Sequence, residues 1–289
     1  SLVGISDDGK VMPMLAESWE SNAEKTEWIF HLKKGVKFHD GGSFDAHAAR
    51  ENIYRVTHMG YKPSSFYGYL VSRIYPGLVR YEADDDYTLH LYFERPVPML
   101  IYRMAGWGSA MFSPASFDRE TGDFTKIVAG TGPFRIDRKA DDYTLLERFD
   151  GYHGEKAKAK RIRIRVITSA EARYSAMRSG EVQGVLDLGG LTPMMVRELM
   201  RTGDFSVDSA HSTISHYLSV NGGRFPFSDE RMRRALDLAI DREKIVKYYF
   251  AGFGTPTRSF LNSTNPFSRP EPPIYDPVEA KALAREVLG

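Results

Sequence analysis

A few aromatic and basic residues in this sequence have the chemistry to hold a ligand that carries carboxylates. Aromatic rings stack on such ligands, and basic groups form charge-assisted hydrogen bonds with carboxylate oxygens. Trp107 is the strongest candidate, because a tryptophan between two glycines on a loop has little reason from regular packing. For each residue taken alone, packing in the core or on the surface is the alternative interpretation. The predicted ligand contacts are Trp107, Arg103, Tyr67, Phe66, Lys62 and Asn221.

Metal-dependent and nucleophilic chemistry has weaker support. His211 and His216 are five residues apart around a predicted strand, which places them on opposite faces of a regular strand and prevents them from sharing one ion. The sequence has no cysteine and no G-x-S-x-G elbow. Glu17 and Asp40 fit surface or capping roles better than paired catalytic carboxylates. We therefore expect no catalytic residue, no metal site and no cofactor.

The composition is that of a globular protein. With 289 residues, the chain is long enough for about two domains of roughly 150 residues each. The formal charge of +1 supplies no long-range field to attract nucleic acid or an anionic membrane. The sequence has no apolar run of the roughly 18 residues that a spanning helix needs. The given sequence begins at Ser1 with neither a basic nor an apolar export segment, so we do not expect its N-terminus to reveal the location of the protein.

The elements that must position these residues follow from periodicity and capping signals. Alternation over 28–32 and 36–38, separated by Gly35, predicts a hairpin. The spacing of strand, helix and strand over 161–188 predicts a βαβ unit, with the isoleucines of the first strand facing a core and its arginines facing solvent. Further strands are predicted at 78–83, 87–93, 135–138, 143–149 and 214–221. Helices are predicted at 45–57, 98–105, 169–180, 192–203, 228–239, 241–251 and from 276 onward.

Several short blocks occur in an order that resembles a known family. The first is LAESWE at 15–20, and the second is WIFHLKKGVKFHDG at 28–41. They are followed by the blocks at 44–46, 130–134, 151–154, 179–182, 221, 234–236, 240–242 and 275–277. Each block alone is a weak motif, but the ordered set resembles the peptide and nickel class (family 5) of extracytoplasmic solute-binding proteins, which serve ABC importers.

The resemblance implies a fold, a location and partners. The fold class is α/β, two-lobed and periplasmic-binding-protein-like (type II), with mixed sheets and truncated at both ends. The implied protein is a monomer in the periplasm, or a lipoprotein at the cell surface, that captures a peptide or nickel chelate between its lobes and delivers it to an ABC permease. The implied segments are part of lobe I, an inserted subdomain, lobe I continued and the start of lobe II, at 1–40, 41–130, 131–220 and 221–289.

The sequence leaves more than one ligand and more than one class of function open. The segments 44–52 and 111–117 are more similar to the nickel-chelate branch of the family than to the dipeptide branch. In the nickel branch an arginine commonly precedes the SP-x-x-F segment, whereas an ungapped comparison places Trp107 there. The alternative functions are a soluble ligand-sensing domain of a regulator and a secreted hydrolase.

Overall fold

The structure is a computed structural model of the chain. It describes residues 1–6, 9–57, 73–124, 128–185, 189–209, 214–261, 268–269 and 271–289. The chain divides into two compact units, Ser1–Val166 (unit 1) and Ile167–Gly289 (unit 2).

The strands of the described residues lie in unit 1 and pair antiparallel in three sheets. The sheet orders are β1-β2, β3-β4-β6-β5 and β7-β8-β9. The strands are β1 (Val3–Ile5), β2 (Val11–Pro13), β3 (Ala16–Ser21), β4 (Glu27–Leu32), β5 (Leu78–Asp85), β6 (Thr88–Phe93), β7 (Phe134–Lys139), β8 (Tyr143–Arg148) and β9 (Arg161–Arg165). Unit 1 also contains helices α1 (Ala46–Thr57) and α2 (Leu100–Met104) and the 3₁₀ turns Trp107–Ser109 and Pro114–Ser116.

The core of unit 1 lies on one face of the four-stranded sheet. Phe30 in β4 is directly opposite Leu89 in β6, and both side chains are fully buried. The period-2 alternation of β4 and β6 places every second residue on this face. Helix α1 adds Ala49 and Ile53 to the same core. Its predicted cap is confirmed, since Asp45 Oδ1 accepts the Ala48 N–H at 2.7 Å.

The hairpin predicted over 28–38 is wrong. Strand β4 pairs with β3 and β6, and the chain turns away at Gly35, which has a φ of 72°. Residues 36–38 instead fold back on 42–44, where the Phe44 N–H donates to the Val36 carbonyl at 2.9 Å. Alternation identifies a strand but not its partners, which here are the preceding strand β3 and the sequence-distant strand β6.

Unit 2 is helical in its described part. The helices are α3 (Ala170–Arg178), α4 (Pro193–Thr202), α5 (Glu230–Ala239), α6 (Arg242–Lys244), which continues as the π-helical turn Ile245–Tyr249, and α7 (Pro277–Leu288). Each begins after a side-chain cap: Ser169, Thr192, Asp229, Asp241 and Asp276. These caps confirm the helix starts that the sequence predicts. Among the described residues, no helix combines the length and the apolar character needed to cross a membrane.

The βαβ unit predicted over 161–188 does not form in the described residues. After α3 the chain stays in a turn, because the Val182 N–H donates to the Ala176 carbonyl at 3.2 Å. Residues 182–185 and 214–221 have no strand pairing in the described part of the chain. The prediction that the apolar residues of β9 face a core is also wrong at one position, since Ile164 is 49% exposed. A strand needs a hydrogen-bonded neighbour, which alternation alone does not supply.

An ion-pair network stabilises unit 2 around Asp237 in α5. Its carboxylate accepts hydrogen bonds from Arg242 and from both Nε and Nη2 of Arg258, the latter at 3.0 and 2.7 Å. Burial is the largest single influence on the pKa of Asp237 and raises it. The hydrogen bonds from Arg258 and Arg242, together with their charges, outweigh burial and hold the pKa below its ordinary value.

We predict that Asp237→Asn lowers the free energy of unfolding of unit 2 by about 1–3 kcal/mol at neutral pH, because it leaves two half-buried guanidinium groups without their anion. A lowered folded-state pKa contributes stability above the unfolded value of about 3.9, and this contribution is lost as the pH falls through the folded value. The difference in free energy of unfolding between variant and parent should therefore shrink as the pH falls toward about 3. Urea unfolding followed by far-ultraviolet circular dichroism measures it, with the exposed Asp208→Asn as control. A pH-independent difference would contradict the prediction.

Candidate functional site

Arg103 and Trp107 lie where helix α2 ends and a 3₁₀ turn begins. The helix is fixed by Leu100 and Met104, which are fully buried in the core. Arg103 is exposed in the last helical turn, and its Nη1 donates to the backbone carbonyl of Arg73. Trp107 is the first residue of the turn Trp107–Ser109, and its side chain lies outside what the structure describes. The structure therefore brings the two predicted contacts into one short segment.

The glycines beside Trp107 have a packing explanation. A Cβ atom on Gly108 would lie 3.0 Å from Cδ1 of Ile74, and one on Gly106 would lie 3.3 Å from the Arg103 carbonyl oxygen. Both distances are tighter than ordinary contacts, so a side chain at either place would require its neighbour to shift by a few tenths of an ångström. Tyr75 is buried beside this turn, and burial raises the pKa of its hydroxyl, an effect that the nearby Ser109 hydroxyl opposes. The flanking glycines thus follow from close packing and are not by themselves a sign of a ligand.

Asn52 fixes the segment that follows this turn. Its side chain is 4% exposed and reaches the backbone of Phe112, donating to the carbonyl at 2.7 Å and accepting the N–H at 2.9 Å. A second donation, to the Ala48 carbonyl at 2.9 Å, ties the amide to its own helix. Helical spacing places Asn52 on the same face as Ala49 and Ile53. The sequence pattern therefore indicates that Asn52 is buried, although its polar side chain suggests exposure.

Arg55, one turn further along α1, covers a group of phenylalanines. Its Nε donates to the Gly122 carbonyl at 3.0 Å. Its guanidinium carbon lies 4.0 Å from the ring centroid of Phe124, 5.6 Å from that of Phe117 and 6.0 Å from that of Phe112. This arrangement combines cation–π attraction with a charge-assisted hydrogen bond. Arg55 therefore holds the 112–124 region against α1 and acts in positioning rather than in ligand contact.

His39 joins two of the blocks that the sequence comparison singled out separately. The Gly130 N–H donates to its Nδ1 at 3.2 Å, and its Nε2 lies 2.9 Å from the Gly132 carbonyl oxygen. Since Nδ1 accepts the Gly130 hydrogen bond and the Gly132 carbonyl can only accept one, these two bonds fit the tautomer that carries its hydrogen on Nε2. Its own backbone N–H donates to the Gly130 carbonyl at 2.9 Å. His39 is therefore not a solvated residue at a hairpin end, because its imidazole fixes the chain that enters β7.

The segment 129–132 is held from its other side by two serines. The Ser113 N–H donates to the Ala129 carbonyl at 2.8 Å, and Ser116 Oγ accepts the Ala129 N–H at 2.8 Å. Together with His39, these bonds connect the loop after α2, the SP-x-x-F segment and the start of β7 in one backbone network.

The other predicted contacts do not join this arrangement in the described residues. Lys62, Phe66 and Tyr67 lie outside the described residues. Asn221 lies in unit 2, where its Oδ1 accepts the Gly223 N–H at 3.0 Å and its carbonyl accepts the Arg224 N–H at 3.2 Å. These bonds give Asn221 a turn-capping role, and its contact with a ligand stays a prediction.

An open cavity lies in each unit among its described residues. That of unit 1, about 610 Å³, lies at the edge of the four-stranded sheet, and that of unit 2, about 480 Å³, lies beside α4 and the π-helical turn. The first is lined by Glu17, Ser18, His31, Leu32, Lys34, Asp85, Asp86, Tyr87 and Thr88. The second is lined by Arg197, Glu243, Val246, Lys247, Ala251, Gly252 and Pro256. In the described part of the chain, no group of three or more histidine or carboxylate side chains could hold a metal ion.

Comparison with known proteins identifies the family of this chain. The family model described as "Bacterial extracellular solute-binding proteins, family 5 Middle" matches residues 10–287. The chain belongs to this family. The resemblance found in the ordered sequence blocks is confirmed, and the family is one of solute-binding proteins rather than enzymes.

Similar proteins extend well beyond this chain. The glutathione-binding protein GsiB of Salmonella paratyphi A is 26% identical over 288 residues, which is 99% of this chain and 54% of that protein. GsiB of Escherichia coli K12 is 26% identical over 289 residues with the same coverage. The chain therefore spans about half the length of the curated relatives it matches.

Solved structures confirm the α/β periplasmic-binding-protein fold. NikA from Brucella suis in complex with Fe(III)-EDTA matches with a TM-score of 0.83 at 24% identity, over 99% of this chain and 57% of that one. An ABC transporter substrate-binding protein from Sinorhizobium meliloti matches with a TM-score of 0.75 at 27% identity, over 99% and 58%. DppA from Helicobacter pylori in complex with the peptide STSA matches with a TM-score of 0.76 at 23% identity, over 99% and 59%.

We predict that Asn52→Ala lowers the free energy of unfolding of unit 1 by about 2–3 kcal/mol, because the Phe112 N–H and carbonyl lose their buried partner. This chain's three tryptophans all lie in unit 1, so their fluorescence during urea unfolding reports on it. The control is Arg50→Ala on the exposed side of the same helix, where a surface ion pair with Glu51 is worth less than about 1 kcal/mol. Equal losses in the two variants would contradict the assigned role of Asn52.

We predict that His39→Ala destabilises unit 1 by about 1–3 kcal/mol and that His39→Gln restores part of the loss. A glutamine amide offers one acceptor and one donor group, as the neutral imidazole does. Tryptophan fluorescence during urea unfolding, with hydrogen exchange of the Gly130 amide, measures both effects. His47→Ala, an exposed histidine on α1, is the control. If glutamine and alanine have the same effect, the two ring bonds do not carry the role.

Proposed function

We propose that the protein containing this chain is the substrate-binding component of an ABC transporter. It captures a small ligand outside the cytoplasmic membrane and delivers it to the permease. The observation that carries this proposal is the family match over residues 10–287. In this proposal the protein acts as a monomer in the periplasm, or at the cell surface as a lipoprotein. The segment boundaries at 40, 130 and 220 stay predictions.

The ligand class in this proposal is a short peptide or a metal chelate that carries carboxylates. Relatives are named for binding glutathione, and solved structures hold Fe(III)-EDTA, the peptide STSA or Ni(L-His). Each of these ligands has at least one carboxylate. A buried carboxylate needs a cation or several hydrogen-bond donors, and arginine offers a planar fork that fits it.

Arg103 is the proposed partner of a ligand carboxylate in unit 1. It is exposed at the end of α2, and its bond to the Arg73 carbonyl restricts the orientation of the guanidinium before any ligand arrives. Trp107, four residues further on, is the proposed stacking partner. Lys62, Phe66, Tyr67 and Asn221 remain proposed contacts.

The test of the function is to identify what co-purifies with the full-length mature protein. Native mass spectrometry with parallel metal analysis distinguishes a mixture of short peptides from nickel with a small chelator. A labelled peptide should be recovered intact, whereas a hydrolase would cleave it. A protein that purifies empty and whose melting temperature does not change with glutathione, STSA peptide or Ni(L-His) would contradict the importer proposal.

We predict that Arg103→Ala raises the Kd of the full-length protein for its carboxylate ligand by about tenfold to a hundredfold, the range expected for one lost charge-assisted bond. Arg103→Lys should recover only part of the affinity, because an ammonium lacks the planar fork. Isothermal titration with the three probes named above measures it. The control is Arg95→Ala, an exposed arginine on a loop of unit 1. Equal affinities of the Arg103 and Arg95 variants would remove Arg103 from the site.

A further inference from the structure

One face of the sheet β7-β8-β9 concentrates positive charge that the overall composition conceals. We call it the arginine face and define it by Arg135, Arg138, Arg161, Arg163 and Arg165. The whole chain has a formal charge of only +1. The arginine face therefore represents a segregation of charge in the fold, not an excess in the sequence.

The strand register places these arginines on the same side of the sheet. In an antiparallel pair, residues directly opposite one another share a face. Arg161, Arg163 and Arg165 of β9 lie opposite Glu147, Leu145 and Tyr143 of β8. On the other side of β8, Arg135 lies opposite Glu147 and Arg138 lies opposite Leu145. The opposite face carries the apolar residues Phe134, Ile136, Leu146, Ile162 and Ile164, together with Thr144, Lys139 and Arg148.

The acidic residues near this face neutralise little of its charge. Glu147 is the carboxylate that the register places on it, and it pairs with Arg135 at 3.0 Å. Asp137 occupies the bulge between Ile136 and Arg138. Arg138, Arg161 and Arg163 are exposed. These three exposed arginines thus outnumber the one glutamate that the register places on this face, and that glutamate is paired with Arg135.

A run of lysines extends the charge next to the sheet. Lys156, Lys158 and Lys160 alternate immediately before β9, and all three are exposed. Lys156 pairs with Asp150 at 2.7 Å. The alternation of β9 gives Lys158 and Lys160 the parity of Ile162 and Ile164, so they add positive charge at the edge of the sheet and not on the arginine face itself.

The arginine face is flat and preorganised. Strands lie about 4.8 Å apart and alternate residues along one strand about 6.8 Å apart, so the charges form a planar array. The guanidinium of Arg163 lies 4.4 Å from the ring centroid of Tyr143, and this contact restricts the orientation of the Arg163 side chain. Leu145 and Tyr143, the uncharged members of this face, are both half-buried. The described face thus lacks the exposed aromatic or aliphatic anchor on which specific protein interfaces centre.

We propose that the arginine face docks the protein on an anionic phospholipid surface. A planar array of basic side chains complements a plane of phosphate groups, and arginine matches phosphate oxygens bidentately. The attraction acts within about 10 Å at moderate ionic strength, so it depends on the local face rather than on the net charge. Docking through this sheet holds the binding protein at the membrane that contains its proposed permease, although it does not require that function.

Vesicle co-sedimentation of the full-length protein, produced without covalent lipid, tests this proposal. The vesicles are phosphatidylcholine alone, or phosphatidylcholine with phosphatidylglycerol in a ratio of about three to one, a negative surface of the kind that attracts basic segments. We expect binding to the anionic vesicles at low salt, loss of binding as sodium chloride rises, and no binding to the neutral vesicles. The triple variant Arg138→Gln, Arg161→Gln, Arg163→Gln should lower the partition coefficient about tenfold or more.

The matched control removes three exposed positive charges elsewhere, through Arg95→Gln, Arg178→Gln and Arg201→Gln. It should bind as the parent does, and melting curves must show both triple variants folded. If the first triple variant is unfolded, the double variant Arg138→Gln with Arg161→Gln replaces it and should weaken binding in the same direction. Equal losses in the two triple variants, or no binding of the parent to anionic vesicles, would overturn the proposal. Binding to poly-glutamate without binding to vesicles would also overturn it and favour an acidic protein partner.

Discussion

The buried amide of Asn52 is the contact on which the shape of the candidate site depends. The described residues from Ala110 to Gly132 have little regular secondary structure, so their backbone groups need partners from elsewhere. Asn52 supplies one pair of bonds to Phe112, and His39 supplies another at Gly130 and Gly132. Because an unpaired buried polar group is costly, these side chains determine one conformation of the segment among many. Arg103 and Trp107 immediately precede it and depend on the same framework.

The two units differ in the interactions that stabilise them. Unit 1 has a contiguous apolar core in which Phe30, Leu89 and Ile53 are fully buried. In the described part of unit 2, large aromatic side chains remain exposed, such as Tyr217 at 69% and Phe260 at 73%. Its helices are held by side-chain caps and by the Asp237 ion pairs. Unit 2 should therefore respond more strongly to pH and salt than unit 1.

The same chain shows why net charge describes function poorly. A net charge of +1 gives the protein little attraction for an anionic surface at distances beyond the screening length. At short range the pairing of three strands gathers Arg138, Arg161 and Arg163 on one face. The acidic residues that balance the total lie elsewhere in the chain. Charge balance over a sequence and charge balance over a surface are different quantities.

The sequence by itself determined the family, the helix starts and most strands. The ordered blocks predicted the family, and capping residues such as Asp45 and Ser169 marked helices that the structure confirms. These features are local, because a cap or an alternating strand depends on residues within one or two turns. Tertiary structure alone decided that β4 pairs with β3 and with the distant β6 instead of with 36–38, and that His39 bonds Gly130. Such pairings join groups far apart in the chain. A local sequence pattern does not specify which distant backbone groups will form hydrogen bonds with it.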